Sequence, residues 1–318
     1  MTMVSHAPEL ITYRVRVIRL AVQQALERGT TPTFATTLLS RLWESRARVT
    51  KRLVVRKPVL CVSGATLGGS NRTPLAIACA SFLRNEGLRV ALVGHAYRAR
   101  PPREPRRVRS DDDARIVGDE AIECARAGVP VFVARSRQCA IDAAELEADV
   151  LVLDGPLQLE PHATLSLLAV DRDAPWGSGH TPPLGNLRAS RAALERAADA
   201  VVACESRSRG VHVRGELVPW SALPRRVGLT TGIARPERVL ELLHARGIDP
   251  IRVLYSADHG PLELDDTLVD LWLTTSKDAA RGGFPRKIRR ENVGVIDYHL
   301  DLPKEVAALL RSRFLVRF

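Results

Sequence analysis

Residues 62–76 hold the side chains best suited to chemistry: Val-Ser-Gly-Ala-Thr-Leu-Gly-Gly-Ser-Asn-Arg-Thr-Pro-Leu-Ala. An apolar strand runs into a small glycine-containing turn and then into a helix. Such a turn brings backbone N–H groups and a helix N-terminus to one point, where a polyphosphate is favoured. The binding turn spans Thr66, Gly68, Gly69, Ser70, Asn71, Arg72 and Thr73, with Gly68 and Gly69 permitting close backbone approach. Thr73 would open the helix with its hydroxyl towards a magnesium ion, as in a P-loop. Measured against Gly-x-x-x-x-Gly-Lys-[Ser/Thr], Thr66 stands where the first glycine belongs, Asn71 replaces the second and Arg72 replaces the lysine. Arginine keeps the charge but is larger and planar, so the exchange is not conservative. On the motif alone, an ordinary strand–turn–helix accounts for these residues equally well.

The elements that must position this turn are legible around it. Apolar runs recur at 58–62, 88–93, 129–134, 149–153, 165–170 and 199–203, with helical segments at 74–85, 119–127 and 189–197 between them. Continuous apolar strands alternating with helices imply a doubly wound, mostly parallel α/β sheet covered on both faces. Asp154 ends one of these strands, at the edge where open α/β sheets bind ligands, and is a candidate magnesium ligand or else a loop cap. A second, weaker set follows: strands at 227–231, 251–255, 271–275 and 293–296, and a helix opened by Pro236 and running to about His244. This describes a smaller second α/β domain, with a linker near 219–224. The expected organisation is an N-terminal helical region at 1–50, a nucleotide-binding domain at 51–222 and a C-terminal domain at 223–318. Residues 98–115 are too rich in charge and proline for a core element and read as a basic surface loop.

Composition narrows the function classes. Hydrophobic residues make up 45% and charged residues 26%, which excludes a disordered chain. No apolar run approaches the roughly 18 residues of a membrane span, and no signal-peptide pattern opens the chain. The net charge is +11, and only five of the 47 basic residues are lysines, the rest being arginines. Such an excess faces nucleic acid, an anionic membrane, a phosphorylated substrate or simply solvent. Nucleic acid is disfavoured, because aromatics make up only 4% and no zinc, KH or RRM pattern is present. The five cysteines form no Cys-x-x-Cys pair, which argues for a reducing compartment without disulfides or a zinc site. Residues 9–27 suit a basic amphipathic helix, packed either on an anionic membrane surface or on its own domain.

The chain resembles the tetraacyldisaccharide 4'-kinases, inner-membrane enzymes of lipid A synthesis. Pro58, Val59, Val62, Thr66, Gly68, Gly69, Thr73 and Pro74 match the family's opening signature in register, including its threonine at the Thr66 position. Asn71 and Arg72 depart from it. The likeness continues in order: 87–90 followed by Tyr97, then Val-Gly-Asp-Glu at 117–120, Gly-Val-Pro-Val at 128–131 and the strand ending in Asp154-Gly155 with Gln158. It extends through a loop with Gly177, Gly179, Pro182, Gly185, Leu187 and Arg188, then 232–238, Asp258-His259 and 273–279. The family has two adjacent aspartates where this chain has Asp154 alone.

The resemblance implies phosphorylation of the 4' hydroxyl of a tetraacyldisaccharide 1-phosphate with ATP and Mg2+. It implies Asp119 as the base for the hydroxyl proton and His259 as its partner; without the family, Asp119 and Glu120 read as helix-N-terminal acids favoured by the dipole. Glu120 would support the metal with Thr73 and Asp154. A monomeric, peripheral protein on the cytoplasmic face of the inner membrane is expected, docked on anionic lipid and binding no nucleic acid. The alternative is a catalytically impaired homologue that binds lipid or nucleotide.

Overall fold

The computed structural model describes residues 21–47, 51–94, 96, 99–155, 159–160, 163–233, 235–256, 269–281 and 292–315. Residues 21–28 are helical (α1), and α2 (Phe34–Ala47) follows. Of the helix expected at 9–27, residues 9–20 lie outside the described set.

The first sheet contains, in chain order, β2 (Val59–Gly64), β3 (Val90–Val93), β4 (Arg106–Arg107), β5 (Val131–Val133), β6 (Val150–Asp154), β8 (Leu165–Asp171) and β9 (Ala200–Cys204); β1 (Lys51–Arg52) and β7 (Leu159–Glu160) pair separately. Its order is β4-β5-β3-β6-β2-β8-β9, parallel throughout except for the β4 edge. The strands β2, β3, β5 and β6 are buried at every residue, as expected for a sheet covered on both faces.

Helix α3 (Arg72–Asn85) turns Leu75, Ala76, Cys79, Ala80 and Leu83 onto one face. Helix α6 (Arg137–Glu147) turns Ala140, Ile141 and Ala144 onto the other. Pro74 lies in the first turn of α3, where its missing N–H breaks no helical bond. The 98–115 segment, read from sequence as a surface loop, contributes the short edge strand β4 and the first residues of α4 (Ala114–Val117), which abuts α5 (Asp119–Arg126) at Gly118; α7 (Arg191–Arg196) precedes β9.

The second sheet has the order β11-β10-β15-β14-β12-β13, formed by β10 (Arg207–Val213), β11 (Glu216–Pro219), β12 (Val227–Thr231), β13 (Arg252–Tyr255), β14 (Leu271–Thr275) and β15 (Val293–His299). Strands β12 to β15 run parallel, and β10 is antiparallel to both its neighbours. Helices α8 (Glu237–His244) and α9 (Ser276–Arg281) follow β12 and β14. The change of sheet falls between Cys204 and Arg207, upstream of the expected linker at 219–224. The last helix, α10 (Lys304–Phe314), returns to the first sheet: Val306, Leu310 and Phe314 share a core with Leu75 and Leu83.

Candidate active site

The turn between β2 and α3 owes its shape to two left-handed residues, Gly69 (φ 72°) and Asn71 (φ 57°). Asparagine adopts that region more readily than other non-glycine residues. Asn71 therefore satisfies the backbone requirement that glycine meets elsewhere in this motif. Its amide donates to the Cys204 carbonyl (3.4 Å) and accepts from Ser206 Oγ (3.0 Å). Thr66 Oγ1 donates to the Gly68 carbonyl (2.5 Å), and Arg188 Nε donates to the Thr66 carbonyl (2.9 Å). Arg235, from the loop after β12, packs over Gly69 so closely that a side chain there would stand 3.0 Å from its Cδ.

Behind the turn lies a buried ionic cluster. Thr73 Oγ1 donates to Asp154 Oδ2 (3.2 Å). Arg72 reaches back to set Nε 2.5 Å from Asp154 Oδ1 and Nη2 2.9 Å from Glu120 Oε2. Lys277 Nζ stands 3.7 Å from Glu120 Oε1, and Arg137 Nη2 donates to the Asp154 carbonyl (2.9 Å). Burial is the largest influence on Asp154 and raises its pKa, while Arg72, Arg137 and the Thr73 hydroxyl pull the other way. Burial also opposes the Arg72 charge, but Asp154 and Glu120 outweigh it and hold the guanidinium's pKa up.

Asp119 begins α5 at the same sheet edge, 4% exposed. Its Oδ1 accepts from the Glu120 N–H (3.0 Å) and its Oδ2 from Arg281 Nε (2.8 Å), which belongs to α9 of the second sheet. Arg281 Nη1 also donates to the Gly232 carbonyl and to Asp278 Oδ1, each at 2.9 Å. Asp278, fully buried, accepts from Thr231 Oγ1 (2.7 Å), Thr275 Oγ1 (2.8 Å) and the Gly232 N–H (3.2 Å). Three further contacts cross between the sheets. Asp171, at the end of β8, pairs with Arg238 and, at 3.5 Å, with Arg235. Ser276 Oγ donates to Glu123 Oε1 (2.7 Å). The C-terminal edges of the two sheets thus face each other across one cleft.

The structure brings Thr66, Gly68, Gly69, Ser70, Asn71, Arg72, Thr73, Asp119, Glu120 and Asp154 to a single edge; His259 lies outside the described residues. No group of three or more His, Cys, Asp or Glu able to hold a metal occurs among the described residues. Thr73, Asp154 and Glu120 nonetheless form an all-oxygen set of one hydroxyl and two carboxylates. That chemistry fits Mg2+, which is typically held by one or two carboxylates together with substrate phosphates. Sequence reasoning overlooked Arg137, Asp171 and Arg281. The first two sit next to the C-terminal ends of predicted strands, the edge that marks ligand residues; Arg281 carries no such signal. All five cysteines are free, and burial pushes the Cys61 thiol up to about 12, so it acts as a packed apolar residue.

Comparison with known proteins settles the family. The sequence model of the tetraacyldisaccharide-1-P 4'-kinases matches residues 31–315. The chain belongs to the tetraacyldisaccharide-1-P 4'-kinase family. Among its members, the tetraacyldisaccharide 4'-kinase of Rhodospirillum centenum is 35% identical over 257 residues, covering 73% of this chain and 75% of the relative. Those of Methylorubrum populi (36%, covering 71% and 72%) and Pseudomonas aeruginosa (34%, covering 70% and 74%) are similarly close. The crystal structure of the kinase LpxK from Aquifex aeolicus, described as in complex with ATP, superimposes with a TM-score of 0.65 at 21% identity, over 94% of this chain and 99% of that one. Membership of the 4'-kinase family makes this chain a phosphotransferase of lipid A synthesis, and the two-sheet fold is the one that LpxK adopts.

Proposed function

We propose that this kinase transfers the γ-phosphoryl group of ATP to the 4' hydroxyl of a tetraacyldisaccharide 1-phosphate in the cleft between the two sheet edges. The observation that carries the reading is the Thr73–Asp154 hydrogen bond, which joins the first-turn hydroxyl of α3 to the carboxylate ending β6. This is the pairing a nucleotide-binding turn needs beneath the phosphates. The N–H groups from Gly68 to Thr73 cradle the phosphates, that of Leu67 being taken by the Asn186 carbonyl, and Arg72 and Arg137 supply positive charge beside them. Thr73, Asp154 and Glu120 would hold Mg2+, which would supply neutralisation of the phosphate oxygens. Asp119 accepts the proton of the sugar hydroxyl, partnered by His259, and Arg281 fixes the orientation of its carboxylate. Burial at the cleft excludes water, which would otherwise compete with the sugar hydroxyl.

Membrane docking fits the same reading. No described helix is long and apolar enough to cross a membrane. Helix α2 presents Phe34 (89% exposed), Leu38 and Leu42 at successive four-residue steps along its outer face. Its other side is tied to the 181–188 loop by Ser40–Thr181 and by Trp43 Nε1 donating to the Arg188 carbonyl (3.0 Å). Because Arg188 also holds Thr66, an apolar face on α2 would lay the cleft beside the acyl chains. A monomer on the cytoplasmic face of the inner membrane completes the proposal.

The test is transfer from γ-labelled ATP to the tetraacyl disaccharide 1-phosphate, comparing wild type with Asp119→Ala and Asp154→Asn. Loss of at least 100-fold in both variants, with fold retained, is expected. Undiminished transfer by Asp119→Ala would overturn the assignment of the base. Phe34→Ser combined with Leu42→Ser should weaken binding to vesicles of anionic lipid, and unchanged binding would remove α2 from the docking surface.

A further inference from the structure

The side chain that departs most from the nucleotide-binding motif is also the one that ties the cluster together. Arg72 is 11% exposed and fills the space between the two carboxylates suited to a divalent cation. Its Nε stands 2.5 Å from Asp154 Oδ1 as an ion pair and its Nη2 donates to Glu120 Oε2 (2.9 Å), while Thr73 Oγ1 donates to Asp154 Oδ2. The broad planar guanidinium spans the gap and lies against both carboxylates at once; a lysine ammonium, a single point charge on a flexible stem, has no such span. A second cation entering at Asp154 would meet the guanidinium head-on, and like charges in a buried site repel strongly.

We propose that Arg72 is a resident competitor of the divalent cation, so that the nucleotide-free protein excludes metal from Asp154 and Glu120. The proposal rests on the nucleotide-binding reading of the turn. Phosphates arriving on the N-terminus of α3 offer the guanidinium a new anionic partner. As it leaves Asp154, the carboxylate loses its counter-charge and becomes a strong site for the metal. Nucleotide and metal therefore depend on each other, and by linkage each raises the affinity of the other by the same factor. In a lysine-bearing turn the metal would have no bridged competitor to displace. The substitution of Arg72 for lysine is thus a change in the order of assembly: phosphates first or together with metal, never metal alone.

The full-length protein is titrated with Mn2+ in the absence of nucleotide, free Mn2+ being read from its electron-paramagnetic signal. Wild type, Arg72→Lys and Arg72→Met are compared, each checked for fold by circular dichroism. Arg72→Lys should bind Mn2+ at least 10-fold more tightly than wild type, and Arg72→Met more tightly still. If removing the cation in Arg72→Met unfolds the protein, Arg72→Lys keeps the charge and decides the question. A second titration follows a fluorescent ADP with and without Mg2+; the gain in ADP affinity from Mg2+ should be larger in wild type than in Arg72→Lys. Equal Mn2+ affinity in wild type and Arg72→Lys would overturn the proposal. Failure of any form to bind ADP with Mg2+ present would instead refute the nucleotide reading, which the Mn2+ titration does not use.

Discussion

Replacing Asp278 tests how the second sheet edge is held against the first. Its carboxylate receives four donors while fully buried: the hydroxyls of Thr231 and Thr275, the Gly232 N–H and the Arg281 guanidinium. These donors differ in kind. A hydroxyl can turn round and accept, whereas a backbone N–H and a guanidinium can only donate. In Asp278→Asn the amide oxygen can stay at the Oδ1 position facing Gly232 and Arg281, and the NH2 can donate to the two threonine hydroxyls at the Oδ2 position. What is lost is the charge assistance and the acceptor of the two threonine O–H groups, which must turn to another oxygen, about 1–3 kcal/mol in all. Asp278→Ala removes every acceptor and leaves Arg281 short of a buried partner, which should cost about 3–5 kcal/mol. With a urea dependence of about 3 kcal/mol/M, its unfolding midpoint falls by roughly 1 M or more. Trp272, buried on β14 of the same sheet, reports the transition by fluorescence. If Asp278→Asn proves as damaging as Asp278→Ala, the reversible-hydroxyl argument is wrong. If Asp278→Ala moves the midpoint by less than 0.3 M, about 1 kcal/mol at that slope, Asp278 is not the hub described.

Glu123 is half-buried as a residue but its carboxyl is enclosed, and that desolvation outweighs Ser276 and Lys277 and pushes its pKa up. A folded-state pKa above the unfolded one means the native state holds the extra proton, so stability is full below the ordinary glutamate range near 4.3 and is lost as pH climbs through the raised value. Glu123→Gln, which keeps the acceptor for Ser276, should be more stable than wild type at pH 7–8, with the gain vanishing near pH 4; a pH-independent difference would refute this. Asn71→Ala and Asn71→Gly lose the same amide contacts, so their difference isolates the left-handed backbone. Glycine should be the more stable by about 1 kcal/mol in thermal unfolding, and equal stability would mean the turn relaxes. Arg281→Ala should lower kcat at least 10-fold with little change in KM for ATP, and Arg281→Lys should restore most of it, since lysine can still reach one carboxylate. A KM effect alone would make Arg281 a nucleotide contact and not a positioning residue for Asp119.

Every strand of the first sheet except the two-residue β4 was legible as an unbroken apolar run: burial on both faces dictates Val-Leu-Cys-Val at 59–62 and Val-Leu-Val-Leu at 150–153, and even the edge strand β9, with Val201 exposed, keeps such a run. Strands β10 and β11 were not legible. Arg207 and Arg209 are exposed on β10, and Glu216 and Leu217 on β11, so neither strand has the continuous run that revealed the others. Missing them moved the expected linker downstream of the real change of sheet. The turn at 66–73 was visible by composition, and Asn71 looked like a defect only until its φ was known. What no local pattern could supply was the pairing across the cleft. Arg281 and Asp119 are 162 positions apart, and their contact follows from how two sheets dock, which composition and periodicity do not encode.

The return of α10 to the first core makes the second sheet an insertion, left through Glu205-Ser206 and re-entered through 300–303. Those two crossings lie side by side. Arg207 and His299 are register partners on β10 and β15, and Arg207 Nη1 pairs with Asp301 Oδ2 at 3.3 Å. A body tethered by two adjacent strands behaves like a door on a double-leaf hinge: it can rotate about the line through both leaves, but it can neither slide nor twist freely. The crossing at Ser206 also touches Asn71 in the turn, so the hinge line passes beside the phosphate cradle while Asp119 and Arg281 meet further along α5 and α9. Opening would therefore draw Arg235 off Gly69 and separate the Asp119–Arg281 contact, giving the bulky lipid a way in while the backbone of the turn, anchored by Asn71 beside the hinge, keeps its shape.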